Sequence, residues 1–147
     1  EWEYAARGSG GRRFPWGDEE PRCAGVVMGT RDGLGCAGAQ VGPRDVGTAT
    51  QDRTPDGVHD MGGNVSEWVA DAFVTRYAAC LSAGMGCTET APTGTLGPRM
   101  VLRSFRGGNW HLPAAVTRAA TRSRWQQDEG APSIGFRCAM STTTPKQ

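Results

Sequence analysis

The sequence holds no CxxC pair, which removes the usual ligand spacing of a structural zinc site. No apolar run approaches the roughly 20 residues that span a bilayer, which excludes direct membrane insertion through a helix. Excess charge of either sign is missing as well. The net charge is +1, far from the basic field that nucleic-acid or membrane-surface binding requires. With only two histidines, His59 and His111, a three-His metal site cannot be built, and both read as polar loop residues. A GxSxG elbow, the usual context of a Ser-His-Asp triad in one large hydrolase class, is absent. Nothing pairs two carboxylates across a cleft as glycosidase chemistry needs. There is no internal repeat. No initiating methionine or signal-like segment precedes Glu1-Trp2, so the chain is expected to be a fragment whose targeting signal lies elsewhere.

What the chain does contain is punctuation. Its 147 residues suffice for one domain with a core, but 22 glycines and nine prolines are spread throughout. That spread favours tight turns and short elements over long helices. "EWEYAARG" puts Trp2, Ala5 and Ala6 on one helical face and supplies Gly8 as a stop. The spacing predicts a second helix over "VSEWVADAFVTRYA", with Trp68, Ala72 and Phe73 inward and Asn64 and Glu67 as a capping box. "MVLRSFRGGNW" reads as a strand running into a glycine turn and "IGFRCAM" as a closing strand. "AVTRAATRSRW" fits either strand or helix. The final "STTTPKQ", residues 141–147, reads as a tail or linker.

Five cysteines divide by spacing. Cys23 with Cys36, and Cys80 with Cys87, each bracket a short loop that a disulfide could close. Such bridges imply an extracellular or periplasmic location. Cys138 is left over and reads as a small buried hydrophobe.

The segment "HDMGGNVSEW" carries the strongest metal candidate. Asp60 and Glu67 offer hard oxygens, and the Gly62-Gly63 turn lets backbone carbonyls face a common centre, as a calcium shell requires. From spacing alone, the helix cap is the simpler reading of Asn64 and Glu67. The arginines at 103, 106, 118, 122, 124 and 137 lie beside aromatics and read as struts that bind carbonyls and carboxylates. The alternative is a cleft for an anionic or peptide ligand, with Trp110 and Trp125 giving flat apolar contact.

Six pieces in order, "EWEYAARG", "FPWGDE", "DGVHDMGGNVSEWVAD", "LRSFRGGNW", "RAATRSR" and "IGFRCA", resemble the formylglycine-generating enzyme, or sulfatase-modifying factor, family over residues 1–140. The resemblance implies an α+β, C-type-lectin-like fold that is loop-rich and begins partway through the domain. It implies calcium held by the Asp60 and Glu67 side chains with the Gly63 and Val65 carbonyls, and a second calcium site at Asp32 and the Leu34 carbonyl in "RDGLG".

Active members of that family oxidise a substrate cysteine with copper held by two cysteines shortly after the "GG-aromatic" turn. Here no cysteine lies between Cys87 and Cys138. Counting from Gly107-Gly108 puts Leu112 and Thr117 at the two positions, and counting back from Arg122 implies a shortened loop. Either way the thiolates that suit Cu(I) are missing, so no copper and no formylglycine-generating activity are expected. A related branch is an oxidoreductase with non-haem iron held by a His-rich motif in a separate domain, and that motif would lie upstream of this chain. Other relatives use the fold as a binding scaffold varied between "RGG-aromatic" and "GFR". This implies a protein or peptide ligand, a catalytically divergent accessory module, and a cleft around Asn109, Trp110, His111, Arg118 and Trp125.

Overall fold

The structure, a computed structural model, describes residues 1–30, 36, 42–73 and 102–140. The second disulfide expected at Cys80–Cys87, the second calcium site at Asp32 and Leu34, and the tail 141–147 lie outside the described residues.

The described chain is α+β and loop-rich. Helix α1 spans Trp2–Arg7, and Gly8 ends it at φ 61°, a left-handed conformation that glycine adopts without a side-chain penalty. Four strands follow: β1 Ser66–Ala72, β2 Leu102–Arg106, β3 Arg122–Gln126 and β4 Ile134–Gly135. They form one sheet in the order β3-β2-β1-β4. β1 and β2 are antiparallel, as are β2 and β3, while β1 and β4 run parallel. A single 3-10 turn, Ala114–Val116, precedes β3.

The helix expected from Val65 onward is a strand over Ser66–Ala72. Two neighbours override the local pattern. β1 lies between β2 and β4, so its backbone groups find partners on both sides. Trp68 packs edge-on against Phe105 of β2, ring centroids 6.0 Å apart. The capping box fails for the same reason: Asn64 sits at φ 68°, whereas an N-cap residue is extended. Instead the Asn64 side chain pairs with Arg44, accepting its N–H at 2.9 Å and donating to its carbonyl at 3.0 Å. Ala72 is buried as expected, and a register shift between Trp68 and Ala72 sets it inward.

The core is divided. Ala6, Met61 and Ala119 form one buried cluster, with Trp2, Ala5 and Val58 packed against it. Val26, Met28 and Cys36 form another, with Trp16 and Ala114. The first confirms the inward face expected for α1. The second is held by the Cys23–Cys36 disulfide, Cα atoms 5.2 Å apart. The closing strand is short: after Gly135 the chain leaves the sheet, Phe136 is exposed and Cys138 is a free, exposed thiol. Cys138 is therefore not the buried hydrophobe expected, because no strand beyond Gly135 carries it inward.

Candidate functional site

Two glycine pairs meet where β1 begins and β2 ends. Gly108 N–H donates to the Gly62 carbonyl at 3.0 Å, and a Cβ on Gly108 would lie 2.5 Å from that oxygen. A Cβ on Gly63 would lie 2.5 Å from the Val27 carbonyl. These glycines are close-approach residues, and the backbone contacts they permit replace side-chain packing. Asn109 continues the same weave. Its amide donates to Ser66 Oγ at 3.0 Å, and its carbonyl oxygen accepts from the His111 and Leu112 N–H groups. The Ser66 hydroxyl in turn donates toward the Gly107 and Gly108 carbonyls.

Glu67, on β1, is the centre of the polar network. Its carboxylate accepts from Trp2 Nε1 at 2.6 Å and from Arg137 Nε at 2.8 and 2.7 Å, with Arg137 Nη2 as a further donor. The Arg137 guanidinium also donates to the His59 carbonyl at 2.9 Å. One glutamate thus ties α1, β1 and the segment after β4 together. Beside it, Arg106 pairs with Glu3 at 3.1 Å and lies over the Trp2 ring. The strut reading holds for Arg103, which donates to the Ala70 carbonyl, and for Arg118, whose Nε donates to the Ala115 carbonyl at 3.1 Å; Arg122 and Arg124 lie over the Phe73 ring.

Asp60 differs from Glu67. Its Oδ2 accepts from Gly47 N–H at 2.6 Å, while its Oδ1 is buried without a hydrogen-bond partner. An unmatched buried carboxylate oxygen suits a hard cation. Glu67 in this conformation does not, since Trp2 and Arg137 already occupy both its oxygens. Of the two carboxylates in the expected calcium set, Asp60 thus keeps one oxygen without a partner, while Glu67 is engaged by Trp2 and Arg137. Among the described residues, no group of three or more His, Cys, Asp or Glu side chains is placed to hold a metal.

Nearby, Asp52 is buried, and both its oxygens take the Gly62 N–H, at 3.0 and 2.9 Å. Burial, with the Asp60 charge beside it, pushes its carboxyl up to about 7 against the pull of the Gly62 N–H. Sequence reading missed this residue, for which "TQDRT" gives no signal.

Leu112 and Thr117, the positions reached by counting forward from Gly107-Gly108, both bond to backbone. Thr117 is fully buried, and its hydroxyl donates to the Ala114 carbonyl at 2.7 Å. Leu112 lies in a loop whose carbonyl accepts from Gly29 N–H at 2.8 Å. The expected ligand cleft is only partly assembled. Asn109, Trp110 and His111 are consecutive, with the two rings 4.9 Å apart, and Trp110 Nε1 and His111 Nδ1 are buried without partners. Trp125 instead sits on the outer strand β3 opposite Arg103. Arg118 lines a different cleft with Arg7, Arg12 and Arg13, none of which the sequence singled out.

Comparison with known proteins shows the family. Residues 1–142 match the family described as "Sulfatase-modifying factor enzyme 1-like domain". A formylglycine-generating enzyme of Mycobacterium tuberculosis is 32% identical over 151 residues, covering 94% of this chain and 48% of its own. A mouse (Mus musculus) protein named inactive C-alpha-formylglycine-generating enzyme 2 is 27% identical, covering 100% of this chain and 43% of its own. The chain therefore spans about half the length of the curated relatives it matches. Among solved structures, PvdO from Pseudomonas aeruginosa superimposes with a TM-score of 0.65 at 26% identity, covering 91% of this chain and 47% of that one.

Proposed function

The chain belongs to the sulfatase-modifying factor family, with its C-type-lectin-like α+β fold, and on that premise we propose that it is a catalytically divergent binding or accessory module. The observation that carries the reading is the loop after the Gly107-Gly108 turn. Where two thiolates would hold copper, Leu112 offers no ligand and Thr117 commits its hydroxyl to a backbone carbonyl. The similar mouse protein is itself named inactive, which supports the same reading.

The ligand of such a module is a protein or peptide, received at the loop of Asn109, Trp110 and His111. The unmatched Trp110 Nε1 and His111 Nδ1 atoms support this, since each is a polar atom that a ligand could satisfy. Calcium is assigned to Asp60 with the Gly63 and Val65 carbonyls, where it would neutralise the buried carboxylate and hold the loop. Glu67 joins that set only by giving up Arg137. The Cys23–Cys36 disulfide supports a compartment outside the cytosol, extracellular or periplasmic.

The test is incubation of the protein with copper and a CxPxR-type peptide, read by mass spectrometry. No formylglycine is expected, and conversion of the cysteine would overturn the proposal. For calcium, chelation is expected to lower the melting temperature of the protein but not of Asp60→Asn. Equal melting of the wild type with and without EDTA would remove calcium from the account.

A further inference from the structure

On the face opposite in chemistry to the Glu67 network, a cleft of about 350 Å³ is lined by Arg7, Arg12, Arg13, Arg118 and Thr121, with Asp18 as its one carboxylate. Three chain segments build it. Arg7 ends α1, Arg12 and Arg13 follow the turn at Gly8, and Arg118 and Thr121 are joined by a turn in which Thr121 N–H donates to the Arg118 carbonyl at 2.9 Å.

Some of this charge is already matched. Arg7 pairs with Glu3 and Arg13 with Glu20, and the Asp18 carboxylate accepts the Arg13 backbone N–H at 2.9 Å. The remainder is not. Among the described residues, Arg12 and Arg118 form no ion pair. Arg12 Nε and Nη2, Arg7 Nε and Thr121 Oγ1 are all buried without a hydrogen-bond partner. Buried donors are normally satisfied, so four unmatched donors on three residues that line one cleft mark a place prepared for an acceptor.

The arrangement is held in place rather than left to a floppy side chain. Arg7 Nη2 donates to the Gly11 carbonyl at 2.9 Å and fixes the turn that carries Arg12. The Arg12 guanidinium lies flat against Gly8, where a Cβ would come 2.9 Å from Nη1. Gly8 therefore both ends α1 and leaves room for the guanidinium.

We infer that this cleft binds a doubly charged phosphoryl- or sulfuryl-type oxyanion, free or as an ester. Asp18 offsets one of the two charges on Arg12 and Arg118, but Glu3 divides its single charge between Arg7 and Arg106. The cleft thus keeps an excess of about two positive charges, which matches the charge of a phosphate monoester near neutral pH. Its three peripheral oxygens also accept more bonds than the two of a carboxylate. The site stands apart from the copper and calcium readings: formylglycine formation would overturn the first, unchanged melting in EDTA the second, and neither touches the cleft.

The test is calorimetric titration of the 147-residue protein with inorganic phosphate, with phenyl phosphate, and with acetate at matched ionic strength. Saturable binding of phosphate or of the ester is expected, and the stronger of the two tells a free ion from a phosphorylated ligand. Arg12→Gln is expected to weaken it by about tenfold, the usual effect of losing a charge-assisted hydrogen bond. Arg118→Gln, at an exposed position that leaves the fold intact, is expected to weaken it as well. Absence of saturation, equal binding of acetate, or unchanged binding by the Arg118 variant would overturn the inference.

Discussion

Glu67 and Arg12 are both partly or wholly shielded charges, yet their surroundings are opposite. Glu67 has every carboxylate oxygen engaged, by Trp2 and Arg137, and joins three segments that are far apart in the chain. Arg12 rests on glycine backbone with two buried donors unmatched. A network in which each polar group has its partner stabilises a fold; a polar group left without one costs stability until something binds it. The same contrast separates the glycine weave around Gly62 and Gly108, closed on itself, from the basic cleft, which is open to a ligand.

The weave should be the most sensitive part. Gly108→Ala would drive a Cβ to 2.5 Å from the Gly62 carbonyl, with backbone on both sides. The cost should reach the roughly 3 kcal/mol upper range of overpacking, or prevent folding, as read by denaturant unfolding. A loss well under 1 kcal/mol would show that the two glycine pairs are not in contact.

Asp52 should give the weave a pH dependence. Its folded carboxyl is raised to about 7, so the folded state binds the proton more tightly than the unfolded chain. Its contribution to stability is therefore full below about pH 4 and is lost as pH rises through about 7. The total change is on the order of 4 kcal/mol. Melting in EDTA should show this decline in the wild type and a flatter profile in Asp52→Asn. Parallel profiles would mean that Asp52 is ionised in the fold.

Removing charge at the centre of the Glu67 network should come next. Glu67→Gln leaves the Arg137 guanidinium without its carboxylate, and Arg137 is about one-third exposed. Water offsets part of the loss, which should be about 2 kcal/mol rather than the larger figure for a fully buried pair. If Glu67 also answers to calcium, Arg137→Gln should tighten calcium binding by freeing the carboxylate. Unchanged affinity would confine the ion to Asp60.

Local features of the chain were legible wherever a residue type forces a backbone outcome. Gly8 ends α1, Cys23 and Cys36 are close enough in sequence to bridge, and "LRSFR" alternates as a strand. Arg103 and Arg137 were legible as struts because guanidinium groups often bind backbone carbonyls and carboxylates in a loop-rich fold. β1 was not, because its helical spacing is real and is overruled only by β2 and β4, which arrive from more than 30 residues away. Cys138 misled for the converse reason: "IGFRCAM" looks like a full strand, but the pairing that would bury it stops at Gly135. The basic cleft was invisible because Arg12 and Arg118 are separated by about a hundred residues and meet only after the sheet closes. The family motifs pointed to Glu67, but could not show that it is held by an arginine.

The contrast between a closed network and an open cleft is tested most directly by one set of thermal melts, recorded with and without inorganic phosphate on the wild type, Glu67→Gln and Arg12→Gln. Glu67→Gln should melt several degrees lower and still be stabilised by phosphate. Arg12→Gln should melt no lower than the wild type, since it removes buried donors that have no partner, and should lose the phosphate effect. The reverse pattern, a large loss of stability at Arg12 with phosphate stabilisation intact, would contradict the account.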